Sequence, residues 1–234
     1  MTTENLLNFQ QTEKKMKKYL PVLQNCLLFQ GIGEEHLLTM LTCRGAKVIS
    51  FDKKYTVFAE GSPARYVGIV LSGSVQILQI DYYGNRSIIS HVKPSEVFAE
   101  EFACAGLPAL PISVIANEPS EVMLIECSDI LHTCSNNCGF HQQLIFNMMK
   151  NLADKTLRFH QKIEVVSKRS TRDKLLTYLS QEAKKKESHS FEIPYDRQEL
   201  ADYLEIDRSG LSVEISKLKK EGLIESHKKH FELL

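Results

Sequence analysis

The order of apolar and polar positions changes character twice along the 234 residues. In the first forty positions the apolar residues fall at helical spacing. Leu6, Leu7 and Phe9 precede a lysine-rich turn, Leu20 to Phe29 follow around Pro21, and after Gly31 and Gly33 the run Glu34 to Thr42 predicts another short helix. From Ala46 to about Ile125 the repeat shortens. Lys47 to Phe51, Tyr66 to Leu71, Val75 to Ile80, Ser87 to Val92 and Glu121 to Cys127 are short runs rich in Val, Ile and Tyr. Between them stand turns such as Asp52-Lys53-Lys54, Gly61-Ser62-Pro63, Ser72-Gly73-Ser74 and Tyr83-Gly84-Asn85. Short strands at this spacing predict an antiparallel sandwich or barrel, with a mixed α+β domain as the alternative.

From about Phe140 the pattern is helical again, and no Gly or Pro occurs between Gly139 and Pro194. Ile145, Met148, Leu152, Phe159, Ile163 and Val166 form a 3-4 stripe that Lys155 and Lys162 interrupt. A helix this long with such a stripe predicts a seam with a second copy, against the alternative of packing on its own sheet. The polar run Lys168 to Arg172 reads as a hinge, Asp173 to Gln181 as an amphipathic helix, Lys184 to Ser188 as a solvated loop and Phe191 to Pro194 as a short strand. The chain thus divides into a strand-rich domain with N-terminal helices (1–139), a dimerisation helix (140–168) and a C-terminal domain (169–234).

The stretch from Asp196 to Gly222 is the most informative. Asp196 suits a helix N-cap, with Glu199 three residues on to return the bond. Leu200, Ala201 and Leu204 give that helix an inner face; Glu205-Ile206-Asp207 is a three-residue turn with one apolar plug. Asp207 then caps a second helix whose Leu211, Ile215 and Leu218 point inward until Gly222 ends it. Leu223 to Glu225 and His230 to Leu233 can pair around Lys228-Lys229 as a β-wing. Two short helices, a three-residue turn and a wing predict a winged helix-turn-helix rather than a generic helical hairpin. In that arrangement the N-terminal end of the second helix faces base edges. Arg208 carries the forked donor that guanine requires, while Gln198, Ser209, Ser212, Ser216, Lys217 and Lys229 suit the phosphate backbone.

Composition lends this no direct support. The chain has 29 basic and 29 acidic residues and no net charge. Residues 169–234 are balanced as well, so the expectation of DNA binding rests on pattern. The 43% apolar fraction is that of a globular protein. No apolar stretch reaches the length of a membrane span, and the N-terminus lacks the apolar core of a signal peptide, so a cytoplasmic location is expected. Cys26, Cys43, Cys104, Cys127, Cys134 and Cys138 are too scattered for a disulfide scaffold.

Taken together the chain resembles the Crp/Fnr family of bacterial regulators. Arg197-Gln198-Glu199-Leu200-Ala201 followed by Asp207-Arg208-Ser209 is similar to the family's recognition segment, and Lys219-Lys220-Glu221-Gly222-Leu223-Ile224 to its helix end and wing. Gly61, Gly73 and Val97-Phe98-Ala99-Glu100 resemble its cyclic-nucleotide-type jelly roll. The implied fold class is α+β: an antiparallel β jelly roll, a long dimerisation helix and a winged helix-turn-helix. The resemblance adds Arg197 and Asp207 to the DNA-binding residues. It implies a homodimer on a two-fold-symmetric duplex site, acting through RNA polymerase. The family's usual glutamate at the second base-reading position corresponds to Ser209, and a basic position beyond it to Val213, so the preferred sequence should differ.

The expected effector pocket comprises Glu100, Glu101, Phe102, Cys104 and Ser113. In relatives that bind cyclic AMP, an Arg about ten residues after the cassette Glu holds the phosphate; here that position falls at Leu110-Pro111. From Pro94 to Met149 there is no Lys or Arg, against seven acidic residues. The effector is therefore unidentified, with an uncharged or apolar small molecule fitting better than cyclic AMP. The alternative is redox or metal sensing through Cys134 and Cys138, with His132 and His141 as further ligands, although the spacing fits no standard zinc or iron–sulfur motif. Cofactors are not indicated. No phosphate-binding loop, nucleophile elbow or metalloprotease motif is present, so an enzyme is not expected.

Overall fold

The structure is a computed structural model that describes residues 16–43, 45–131 and 140–234. The expected helix around Leu6 to Phe9 and the segment with His132, Cys134 and Cys138 lie outside the described residues. The chain divides into two compact units. One holds the described residues up to Leu78 together with His91–Asp154; the other holds Gln79–Ser90 and Lys155–Leu234.

The first unit opens with α1 (Leu20–Gln24), a 3-10 turn (Leu27–Phe29) and α2 (Glu34–Cys43). Pro21 sits in the first turn of α1, where a missing N–H leaves no helical bond unmade. Eight strands follow: β1 (Lys47–Phe51), β2 (Thr56–Phe58), β3 (Tyr66–Ser72), β4 (Val75–Ile80), β5 (Arg86–Val92), β6 (Val97–Phe98), β7 (Ser113–Ala116) and β8 (Ser120–Glu126). They form two four-stranded sheets, ordered β1-β8-β3-β6 and β2-β7-β4-β5. Antiparallel pairing sets Ile49 opposite Val122, Gly68 opposite Phe98 and Ile77 opposite Val114. The two sheets are the sandwich that the short strand runs predict.

Two glycines have no substitute here. A Cβ on Gly68 would stand 2.1 Å from the Phe98 ring, and Phe98 in turn meets Phe58 of the second sheet with ring centroids 5.6 Å apart. Gly73 turns between β3 and β4 at φ +73°, with the Pro119 carbonyl 2.4 Å from where a side chain would begin. Between β6 and β7 lies α3 (Glu100–Cys104), and after β8 comes α4 (Cys127–Leu131). Neither short helix, nor β2, β6 or β7, is visible in the strand periodicity, because each is too short to complete a repeat. Leu23, Leu28, Leu37, Leu41, Ile69 and Met123 centre the core, and Leu144 and Met148 of the next helix close it.

That helix, α5 (Phe140–Val166), is the long one. The faces of α5 differ from the expectation. Met148 is buried, and Ile145, Leu152, Phe159 and Val166 are half-buried against the chain's own residues. Ile163 of the expected stripe is exposed, and with Phe146, Met149, Ala153, Thr156 and His160 it forms a second, exposed face at strict 3-4 spacing. Phe146, Met149 and Ile163 are each at least 60% exposed. The stripe read from the sequence is therefore largely an intramolecular face.

In the second unit, Ser170 caps α6 (Thr171–Lys186) by accepting from the Asp173 amide at 3.0 Å. The run at Lys184 to Lys186, expected as loop, completes the last turn of α6, where lysines suit the negative end of the helix. Then come β9 (Ser190–Glu192), α7 (Arg197–Leu204), α8 (Arg208–Lys220), β10 (Ile224–His227) and β11 (His230–Leu233). The strands make a three-stranded sheet ordered β10-β11-β9. Leu175, Leu179, Leu200, Leu204, Leu211, Leu218 and Phe231 fill the core beneath them, each with at most 1% of its surface exposed. Tyr195 and Tyr203 stack at 4.8 Å, and Lys162 sits 4.8 Å above the Tyr203 ring while donating to the Ile88 carbonyl. Burial pushes the Lys162 ammonium down to about 8.

Candidate nucleic-acid interface and sensing region

The reading elements are built by short-range hydrogen bonds. Asp196 accepts from the Glu199 amide at 2.9 Å, and the Glu199 carboxylate accepts from the Asp196 amide at 2.7 Å, so both halves of the capping box form. Glu205 ends α7 in the left-handed conformation (φ 54°), and its amide donates to the Ala201 carbonyl. Asp207 then starts α8, accepting from the Gly210 amide at 2.9 Å and from the Ser209 hydroxyl. Those bonds hold the Asp207 carboxyl below its ordinary range, the Ser209 hydroxyl contributing most. Leu211, Ile215 and Leu218 lock α8 onto α7.

On the opposite face of α8, Arg208, Ser209, Ser212, Val213, Ser216 and Lys217 are exposed. The Arg208 guanidinium has no hydrogen-bond or ion-pair partner among the described residues. It lines one groove with Gln198, Asp202 and Asp207. The serines are less free. Ser212 and Ser216 donate their hydroxyl protons to the carbonyls of Arg208 and Ser212, each at 2.9 Å. They therefore present oxygen lone pairs outward unless the hydroxyls rotate, and a phosphate needs donors. Gln198 donates to Asp202 at 2.8 Å, Lys217 stands 3.8 Å from Glu214, and Lys229 donates to the Pro194 carbonyl at 2.7 Å.

Arg197, counted by resemblance among the DNA-binding residues, is half-buried. Its guanidinium lies 5.8 Å from the centre of the Phe231 ring, one of its terminal nitrogens is buried, and burial pushes its pKa below the usual arginine value. It fastens α7 to the wing sheet. Asp207 is the N-cap of the reading helix, and its carboxylate is occupied there. Sequence motif alone does not separate these supporting roles from contact roles, because the partners lie outside the motif.

In the first unit, Ala99 precedes α3 with φ 64°. Glu100 is fully buried and its carboxylate accepts from the Asn151 amide of α5 at 2.8 Å. Glu101, Phe102 and Cys104 are half-buried around it. The Ser113 hydroxyl accepts from the Glu60 amide at 3.1 Å. Leu110 is buried, and its amide donates to the Ser62 carbonyl at 2.8 Å, so no cation occupies the place where a phosphate clamp would stand. Arg65 is exposed, and Arg86 pairs with Asp202 at 3.7 Å within the second unit. The Cys104 sulfur lies 3.3 Å from that of Cys127, a pairing no motif announces. His141 is buried and stacked on Phe140 at 6.0 Å, with neither ring nitrogen hydrogen-bonded among the described residues. Among the described residues no three His, Cys, Asp or Glu side chains gather as a metal site, and no helix is long and apolar enough to cross a membrane.

The family described as "Cyclic nucleotide-binding domain" matches residues 48–137, and "Crp-like helix-turn-helix domain" matches residues 173–234. The CRP-like cAMP-activated global transcriptional regulator of Mycobacterium tuberculosis is 32% identical over 79 residues, which is 34% of this chain and 34% of that regulator. The match thus spans about a third of the relative's length. FixK2 from Bradyrhizobium japonicum is 20% identical, with 80% of this chain and 92% of that one superposed at a TM-score of 0.64. The c-di-GMP responsive regulator CLP from Xanthomonas campestris is 16% identical, covering 86% and 99% at a TM-score of 0.71. At these identities the two solved structures show a shared fold. With both families matched in this order over most of its length, the chain belongs to the Crp/Fnr family of transcriptional regulators.

Proposed function

We propose that the protein is a homodimeric, sequence-specific DNA-binding regulator whose α8 enters the major groove and whose sensing domain responds to an effector other than cyclic AMP. The observation that carries this is the exposed Arg208 guanidinium, unpaired among the described residues, at the first turn of a helix whose other face is locked into a winged helix-turn-helix core. The exposed 3-4 stripe of α5 supports a second copy as the partner of that helix. Two copies related by a two-fold axis present two α8 helices to successive major grooves. Control of transcription then passes through contact with RNA polymerase, as the family resemblance implies.

Selection of duplexes from a random pool tests the first part. The expected product is a two-fold-symmetric sequence with half-sites about one helical turn apart. Enrichment of a single unpaired half-site, or of nothing, overturns the proposal.

The effector reading rests on charge. Cyclic AMP is an anion, and the stretch from Pro94 to Met149 that contains α3 carries seven acidic residues and no basic one, with Glu100 already engaged by Asn151. An uncharged or apolar small molecule meets no such repulsion. Calorimetric titration with cyclic AMP is expected to show no binding in the micromolar range; a micromolar isotherm refutes this part and leaves the DNA-binding part standing.

A further inference from the structure

Two thiols in the first unit face one another although they belong to different helices. Cys104 ends α3 and Cys127 begins α4, 23 positions later, and their sulfurs are 3.3 Å apart. The backbone holds both in place. The Cys127 amide donates to the Arg65 carbonyl at 2.9 Å, while the Ala103 amide donates to the Ala99 carbonyl at 3.2 Å and Ala105 to Glu101 at 3.1 Å. Sulfurs at this separation need only small rotations to bond, because disulfide geometry depends on anchoring backbones already being close. Cys104 is half-buried and precedes the exposed turn Ala105-Gly106-Leu107, which leaves a small solute a path to the pair. Cys26, by contrast, is fully buried and its thiol is pushed up to about 12.

We propose that Cys104 and Cys127 form an oxidant-responsive dithiol that closes to a disulfide on reaction with a hydroperoxide and reopens with a dithiol reductant. The shared hydrogen keeps the Cys104 thiol protonated and pushes the Cys127 thiol below its ordinary pKa, so the proton leaves Cys127 first. The Cys127 thiolate attacks one peroxide oxygen. A sulfur–oxygen bond forms, the oxygen–oxygen bond breaks, and the leaving oxygen takes a proton as water or an alcohol. Cys104 then attacks the sulfenic sulfur as its proton is lost; the sulfur–sulfur bond forms and water leaves. Two thiols are oxidised and one peroxide is reduced. The bond ties α3 to α4, and α3 carries Glu100, the carboxylate that holds Asn151 of the long helix. The thiol state is thereby set beside the structural connection to α5. This pair is distinct from Cys134 and Cys138, and its chemistry does not depend on whether the protein binds DNA.

The test uses the full chain, reduced and then treated with stoichiometric hydrogen peroxide. Free thiols are blocked with one alkylating reagent, and oxidised ones are reduced and blocked with a second of different mass. No Lys or Arg lies between the two cysteines, but Glu118, Glu121 and Glu126 do, and Leu131 separates Cys127 from Cys134, so cleavage at Glu and Leu resolves the sites. The expected result is equal conversion of Cys104 and Cys127 to the second label, a peptide pair joining them before reduction, and an unreacted Cys26. Dithiothreitol is expected to reverse it, and Cys104→Ser to abolish the joined peptides. The proposal is overturned if both thiols stay with the first label, if one oxidises without the other, or if either joins Cys134, Cys138 or a second chain. Because the readout is on the wild-type chain, a poorly folding Cys104→Ser variant does not rescue the idea.

Discussion

Phe146→Glu is expected to turn the protein into a monomer and to lower its affinity for a symmetric DNA site by at least about 100-fold. The stripe Phe146, Met149, Ala153, Thr156, His160 and Ile163 has the 3-4 repeat of a two-stranded helical seam, and it faces away from the chain's own core. Phe146 is 61% exposed and Met149 65% in the single chain. Burying a large apolar side chain contributes roughly 1.5–3 kcal/mol, and a two-fold axis counts each substitution twice. A carboxylate placed there also has to be desolvated, so the loss of about 3–6 kcal/mol from the apolar term alone is a lower bound, equivalent to about two to four orders of magnitude in the dimer constant. DNA affinity follows, since a monomer engages one half-site. Because Phe146 touches so little of its own chain, circular dichroism and the melting temperature should stay near wild type. Phe146→Leu, which keeps the seam apolar, should remain dimeric. Sedimentation velocity decides: a Phe146→Glu protein that still sediments as a dimer removes this face of α5 from the seam.

The same helix shows where sequence reading reaches its limit. Both stripes of α5 are apolar at 3-4 spacing, and periodicity does not say whether a face is covered by the chain's own sheet or by another copy. Met148 and Leu152 look like a seam in sequence, yet they belong with the core cluster of Leu23 and Leu28, more than a hundred positions away. The helix-turn-helix was legible for the converse reason. The Asp196–Glu199 box, the Asp207 cap and the Leu211–Ile215–Leu218 spacing are local, each decided within a few residues of itself. Contacts that depend on tertiary path escaped: Arg197 on Phe231, and Cys104 on Cys127 across a whole strand pair. The sensing region was half legible. The absence of a cation near Leu110 stands in the sequence, whereas the engagement of Glu100 by Asn151 needed the fold.

Arg208→Ala is expected to remove most of the preference for operator over scrambled DNA. Of the exposed side chains along α8, Ser209, Ser212 and Ser216 direct their protons to their own helix, Val213 offers only a methyl surface, and Lys217 is a point charge two turns further on. Arg208 alone brings a planar fork, which can donate to two guanine acceptors in the plane of the base. Such a bidentate pair discriminates by about 1–3 kcal/mol, and a symmetric dimer makes it in both half-sites, so a loss of about 2–6 kcal/mol follows, roughly 30-fold to 10⁴-fold in the specificity ratio. Non-specific affinity should fall far less, since only one charge per subunit is lost. Arg208→Lys separates charge from geometry: it should keep the salt dependence of the wild type while its discrimination falls toward that of the alanine variant. Lys217→Ala is the opposite case, expected to weaken operator and scrambled duplex by similar factors and to flatten the salt dependence. Paired titrations by fluorescence anisotropy at two salt concentrations read all three. An Arg208→Ala protein that retains the wild-type ratio between the two duplexes would transfer sequence reading to another part of the domain.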